Sequence, residues 1–225
     1  GDPSRNNLPV NGDPHEFPLD HDLGQGWRTR VGASYRETDL YGEAVDLTGT
    51  LQADGRTLTR RDSWRSLPAR DTSVQAEVEG KLQTGGLRHT VLAGVESWRL
   101  FMGQDIRYST LASQPFAIDI HTPTYGQAPG NLTPGFDTRD RQRATGLFVQ
   151  DQMDLSERWK LLAGVRFDRY HQDYENRLNR AVQTQSHSAA TPRVGVTYLV
   201  NDRTSVYASA GRSFRPNTGA DESGR

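Results

Sequence analysis

Arg143 to Tyr170 reads RATGLFVQDQMDLSERWKLLAGVRFDRY, and this stretch decides the fold. Leu147, Val149 and Met153 alternate with Gly146, Phe148, Gln150 and Gln152, the two-residue period of a strand whose faces meet different surroundings. Trp159 opens a second alternating run. Leu161, Ala163, Val165 and Phe167 take one face of it, and Lys160, Gly164, Arg166, Asp168 and Tyr170 take the other; only Leu162 breaks the pattern. Asp154 to Arg158 alone separates the runs, so they pair antiparallel around a tight turn. Such a hairpin, apolar on one face and charged on the other, suits a soluble sandwich with its apolar faces packed together. It equally suits a membrane barrel with lipid outside and a wet interior.

Composition bounds the choice. The chain has 225 residues, 33% hydrophobic and 24% charged, and nowhere holds the run of about 20 apolar residues that a spanning helix needs. A spanning strand needs only about 9–11 residues, apolar at alternate positions, so the strongly polar average does not count against a barrel. With 27 basic and 28 acidic residues the net charge is -1, which gives no basic field for nucleic acid. The chain lacks cysteine, which removes disulfides, thiol catalysis and thiolate metal sites together. The opening GDPSRNNLPVNGDP is polar and has no signal-peptide core.

Outward from the hairpin the expected elements are these. Gly1 to Gly26, rich in Gly, Pro, Asn and Asp, reads as loop. Trp27 to Arg36 alternates and is a strand; Glu37 to Gly55 reads as loop with one short strand near Ala44 to Leu51. Arg56 to Leu82 is strand with a bend at Leu67-Pro68. A tight turn at Thr84-Gly85-Gly86 precedes a strand that ends near Trp98. Gly103 to Arg141, with four prolines, reads as one long loop, and loops of that length are commonly functional. After the hairpin, Glu175 to Ala189 reads as a polar loop, and strands follow at Pro192 to Tyr198 and Val206 to Phe214 around a turn at Val200 to Arg203. The total is about seven strands. Tight joins at Thr84, Asp154 and Asn201 alternate with long joins after Arg36, Trp98 and Tyr174. Short turns on one side and long loops on the other are the habit of bacterial outer-membrane barrels, and the pattern favours an all-β antiparallel transmembrane barrel segment.

The same residues carry a resemblance. GLFVQDQ at Gly146 to Gln152, WKLLAGVRFDRY at Trp159 to Tyr170, RHTVLAGVE at Arg88 to Glu96, DGRTLTRR at Asp54 to Arg61, PTYG at Pro123 to Gly126 and TPRVGVTYLVNDRTSVYASAGRSFRPNTG at Thr191 to Gly219 resemble, in order and spacing, TonB-dependent siderophore receptors of the ferrichrome-receptor-like kind. The resemblance covers nearly everything from Gly26 onward. It implies a barrel of about 22 strands with a plugged lumen. It also implies import of ferric siderophores with energy passed from an inner-membrane complex. Residues 1–225 are then expected to be a partial barrel domain, about a third of the circumference, without the plug or the C-terminal strands. The expected partners are a ferric siderophore, outer-membrane lipid, and the TonB complex through parts outside this chain. No cofactor is expected, iron arriving only as the siderophore complex.

No catalytic chemistry stands out. His15, His21, His89, His121, His171 and His187 show no metal-ligand spacing, Gly24-Gln25-Gly26 lacks the rest of a phosphate loop, and no G-x-S-x-G elbow is present. Trp27, Tyr35, Trp159 and Tyr198 lie near strand ends on the apolar face, where girdle residues anchor a barrel. The candidate ligand contacts are Arg107, Tyr108, Phe116, Tyr125 and Tyr174, the aromatic and basic groups of the long loops. Two other readings compete: a smaller outer-membrane barrel acting as enzyme or adhesin, and a soluble β-sandwich that binds carbohydrate.

Overall fold

A computed structural model describes residues 9–109, 117–127 and 130–216. Its strands are β1 (Val10–Gly24), β2 (Trp27–Leu51), β3 (Thr57–Thr84), β4 (Leu87–Ser109), β5 (Ile118–Asp119), β6 (Leu132–Asp154), β7 (Trp159–Asn176), β8 (Ala181–Asn201) and β9 (Thr204–Gly211). They form one antiparallel sheet in the order β1-β2-β3-β4-β6-β7-β8-β9, with β5 paired to β3 off that path. Every strand on the path thus pairs with its sequence neighbours, β5 apart, as in an up-and-down barrel wall.

The register carries the alternation of the central hairpin across the whole sheet. Leu147 sits opposite Phe167 and Val149 opposite Val165. The same rows continue through Val95 and Ala93 on β4, Ala76 and Val78 on β3, and Ala190 and Pro192 on β8. Leu147 and Phe167 are each 55% exposed, so no second layer covers this face among the described residues. That observation removes the sandwich. On β7 the apolar run from Trp159 to Phe167 matches the roughly 9–11 residues that a tilted strand needs to cross a bilayer. Its lower edge carries aromatics: Trp159 meets Tyr198 at 4.7 Å between ring centroids. Trp27 lies across Gly80, where a β-carbon would collide with the indole. Tyr35 lies at the upper edge, opposite Thr72.

The strands are far longer than the membrane requires. β3 has 28 residues, about 90 Å at roughly 3.3 Å per residue. The apolar rows lie next to the short turns at Gln25–Gly26, Gly85–Gly86 and Leu155–Arg158, so the excess projects beyond the opposite side. Gly24 and Gly26 hold φ near 81°, and Gly85 and Gly86 φ of 61° and 122°, which is the chirality that tight hairpin turns require.

This length corrects several expectations. Val10–Gly24 is a strand, not loop, and its Pro14 and Pro18 share parity, so the missing N–H groups fall on one edge only. The join after Arg36 is not long: β2 runs on to Leu51, and the connection is the turn before Thr57. Glu175 to Ala189 is not a loop either, because β7 and β8 continue to a turn at Arg177–Arg180. Gly103 to Ser109 and Leu132 to Arg141 are strand, not loop, and the described residues between them include the short β5. Seven strands become the nine above. The reason is common to all: beyond the hydrocarbon both faces are wet, so pairing persists while the polarity alternation fades. The bend at Leu67-Pro68 is also absent. β3 continues as strand there, paired through Leu40↔Leu67 and Asp39↔Pro68 to β2, and only its ladder to β4 is interrupted, between Ser66↔Asp105 and Ala69↔Met102. Proline has no N–H to give there, and its ring occupies the space beside Gly103.

In the complete barrel, Val149→Arg is expected to lower stability in phospholipid by about 2–4 kcal/mol, and Gln150→Arg to change it little. Denaturant unfolding followed by tryptophan fluorescence measures both. Equal costs would mean that the faces are assigned wrongly.

Candidate functional site

The face opposite the apolar one lines the lumen. At membrane height it is a lattice of ion pairs: Arg30 with Glu77 at 2.8 Å, and Arg166 with Glu96 at 3.0 Å and Asp168 at 2.8 Å. Gly94 and Gly146 make room for this arrangement. A β-carbon at Gly94 would press on Phe148, and one at Gly146 would strike the Arg166 guanidinium, so both side chains lie flat along the wall. Higher up, Trp98 packs on Tyr170 at 6.1 Å, and Tyr170 is 1% exposed. The Tyr170 hydroxyl donates to Gln172 Oε1 at 3.2 Å, Gln172 Nε2 donates to Asp140 at 2.9 Å, and Gln142 Nε2 donates to the same carboxylate at 2.7 Å. Gln185 joins from β8 by donating to Gln172.

Above this network the extended strands form a mouth. β2 and β3 bring Asp46 opposite Arg61 in register. Both Asp46 oxygens accept from Arg65 Nη2 at 2.7 Å, and Arg61 Nε stands 3.9 Å from the same carboxylate. The Arg61 guanidinium also stacks over the Tyr108 ring at 3.8 Å, and Tyr108 meets Phe136 edge-on at 6.4 Å. Gly135 leaves the space that the Tyr108 ring fills. The base of the cluster is tight, with Ser63 Oγ donating to the Ala44 carbonyl at 3.0 Å and the Asp62 N–H donating to Ser109 Oγ at 2.8 Å. Two guanidiniums share one carboxylate here, and Nε of both Arg61 and Arg65 is shielded from solvent without a hydrogen-bond partner. The Arg61 and Arg65 side chains are 38% and 28% exposed, so their outer N–H groups can meet an anion offering several oxygens.

The five predicted contacts do not form one site. Tyr108 is in the mouth. Arg107, its neighbour on the same strand, faces the other way, paired with Asp105 at 3.0 Å and lying over Trp64 at 5.3 Å, because adjacent strand residues point to opposite faces. Tyr174 is on the lumenal face deeper in, opposite Asp140 and Gln183. Tyr125 is 49% exposed in the segment after β5. Phe116 lies outside the described residues. Sequence reading missed Arg61, Arg65 and Asp46. The signal was Arg61 and Arg65 at the same parity of a segment read as strand from Arg56 onward, but their meeting with Asp46 follows only from the register to β2.

The β5 segment is tied to the tip of the β2–β3 hairpin. Thr57 and Leu58 pair with Asp119 and Ile118, and the Asp119 carboxylate accepts from the backbone N–H of His121 at 2.8 Å and of Thr122 at 3.1 Å and from Arg56. In the turn itself Asp54 accepts from the Thr57 hydroxyl at 2.6 Å and from the N–H groups of Thr57 and Arg56 at 2.9 Å each. These donors, the Thr57 hydroxyl first, hold the Asp54 carboxyl down to about 2 from the ordinary 3.8. A lowered folded value means that the turn gains its full stabilisation above pH 3.8 and loses it as pH falls through about 2. Thr57→Val is expected to move the Asp54 titration back toward 3.8 in a carboxyl-carbon NMR titration. An unmoved midpoint would mean that the hydroxyl is not the chief cause.

Fold and lumen agree with comparison to known proteins. Residues 2–224 match the family model described as TonB dependent receptor-like, beta-barrel. The chain belongs to this family of outer-membrane receptors, which are not enzymes. The metal-pseudopaline receptor CntO of Pseudomonas aeruginosa (strain UCBPP-PA14) is 36% identical over 235 residues, covering 100% of this chain and 32% of that protein. The ferrioxamine B receptor of Salmonella typhimurium (strain SL1344) is 26% identical over 212 residues, covering 92% and 29%. Among solved structures, the ferripyoverdine receptor of the Pseudomonas aeruginosa outer membrane, bound to ferripyoverdine, matches with a TM-score of 0.77 at 19% identity, covering 95% of this chain and 28% of that one. The chain therefore spans about a third of the length of the relatives it matches.

Proposed function

We propose that these residues form part of the wall of a barrel of about 22 strands that imports metal–chelator complexes across the outer membrane with TonB-derived energy, the coupling made through parts outside them. The observation that carries this reading is the mouth cluster of Arg61, Arg65 and Tyr108, donors and an aromatic face converging on the lumenal side. A chelated metal presents a compact periphery of oxygens and organic surface, which such a cluster recognises without ligating the metal itself. Tyr174 continues the aromatic lining inward, and Tyr125 stands exposed in the segment that follows β5. Arg107 contributes from the outer wall by holding Asp105 and Trp64.

The ligand class expected from the resemblance is a ferric siderophore, and the ferrioxamine B receptor supports it. The 36% identity over the whole chain to a metal-pseudopaline receptor favours a second reading, in which the cargo is a metal–pseudopaline complex.

In the complete receptor, Arg61→Ala with Arg65→Ala is expected to weaken chelate binding at least about tenfold, or 1.4 kcal/mol, while heat-modifiable gel mobility confirms a folded barrel. Calorimetric titration with metal–pseudopaline and, separately, with ferric siderophores assigns the class. Unchanged affinity for every chelate that the wild type binds would remove the mouth from the binding site.

A further inference from the structure

The polar network beneath the mouth has a direction. It begins at the Asp140 carboxylate on β6, which only accepts, so Gln172 on β7 turns its amide nitrogen toward it at 2.9 Å. Gln172 Oε1 then faces the other way, where it takes the Tyr170 hydroxyl at 3.2 Å and the amide nitrogen of Gln185 on β8. Gln185 is oriented in its turn. Its Oε1 faces His187 Nε2 at 3.1 Å, and an amide oxygen only accepts, so Nε2 carries the proton. The neutral imidazole therefore holds its lone pair on Nδ1, which has no hydrogen-bond partner among the described residues.

The register sets Tyr170 opposite His187 and Gln172 opposite Gln185, all on the lumenal face. Tyr170 is 1% and Gln172 4% exposed, and Gln185 is half-buried, so the relay opens to the lumen only at the exposed imidazole. Two histidines of the other face differ. His171 spends both ring nitrogens, on Ser186 Oγ at 2.7 Å and on Asp173 at 3.0 Å. His89 gives Nδ1 to Asp151 at 2.7 Å, and its Nε2 is shielded. An imidazole with one N–H given to a fixed acceptor and the other nitrogen bare is the form that ligates metals; the outer partner sets the ring and raises its basicity. One imidazole does not hold a bare ion, and no group of three His, Asp or Glu among the described residues could do so. The metal must bring its other ligands with it.

We propose that His187 Nδ1 takes an open coordination position on the metal of an incoming chelate, so that the lumen below the mouth favours divalent transition metals whose chelator leaves the coordination shell unfilled. This rests on the reading of the barrel as an importer of metal–chelator complexes. Zinc, copper and nickel suit imidazole. A ferric ion wrapped completely by its chelator offers no position and passes on hydrogen bonds alone. The step is a ligand exchange: the Nδ1 lone pair replaces a water on the metal, Nε2 keeps its proton on Gln185, and no electron moves.

The test uses the complete receptor in detergent, carrying isotopically labelled histidine, with copper(II)–nitrilotriacetate as the open chelate and ferrioxamine B as the filled one. Electron paramagnetic resonance of the equimolar copper chelate is expected to show an imidazole nitrogen whose hyperfine pattern changes with the label. That signal should vanish in His187→Gln and persist in His171→Gln, both folded by gel mobility. Gln185→Leu cuts the relay but leaves the imidazole, and should weaken copper-chelate binding about tenfold. Any affinity for ferrioxamine B should be equal in all four proteins. An imidazole signal that survives in His187→Gln overturns the proposal; so does a parallel loss of ferrioxamine B, which would make the residue a hydrogen-bonding contact. Wild-type receptor that binds filled chelates alone overturns it while leaving the importer standing, whereas binding of no chelate of either kind removes the importer as well.

Discussion

Hydrocarbon offers a peptide group no hydrogen-bond partner, so every strand that crosses a bilayer must find its partners in another strand. From this constraint the rest of the structure follows. The ladders from β2 to β8 run through the apolar rows without a register shift; those recorded fall outside, as at Leu47/Leu51 and Ile106/Arg107. Because side chains alternate with a period of two, a one-residue slip would exchange the faces of an entire strand, sending Arg166 into lipid and Val165 into the lumen. The unbroken register is therefore also what keeps the ion-pair lattice of Glu96, Arg166 and Asp168 on the wet side.

The overall balance of charge conceals how unevenly the arginines are used. Arg166 is neutralised by two carboxylates and lies along a wall. Arg65 and Arg61 share Asp46 beside an aromatic ring. Arg99 and Arg143 stand directly opposite each other on the outward face. A net charge of -1 is compatible with all three because the strand period sorts the charges by face and the height along the strand sorts them by surroundings.

Legibility in the sequence followed the contrast between the two faces. Trp159 to Phe167 was readable because lipid lies on one side and water on the other. Val10 to Gly24 and Val182 to Ser188 were not, since water reaches both sides and pairing alone leaves no mark on residue choice. The mouth was legible only in part. Tyr108 stood out as an aromatic amid loop-like sequence, but its partners Arg61 and Asp46 are distant in the chain and meet only through registers that sequence does not state. Arg107 and Tyr108 were grouped because both were read as loop, where alternation has no meaning. On a strand they are separated by the sheet itself.

The two missing rungs at Leu67 and Pro68 set the mechanics of the mouth. They leave four consecutive pairs at the top of the β3–β4 seam, Ser63↔Tyr108 to Ser66↔Asp105, detached from the long ladder below. Arg65 belongs to one side of this short block and Tyr108 to the other. The seam is thus a zipper with a break beneath its last few teeth, and parting them leaves the membrane-embedded ladder untouched. Compliance at the rim is decoupled from rigidity in the bilayer, and any guest that bridges the arginines and the tyrosine acts as a clasp across the seam.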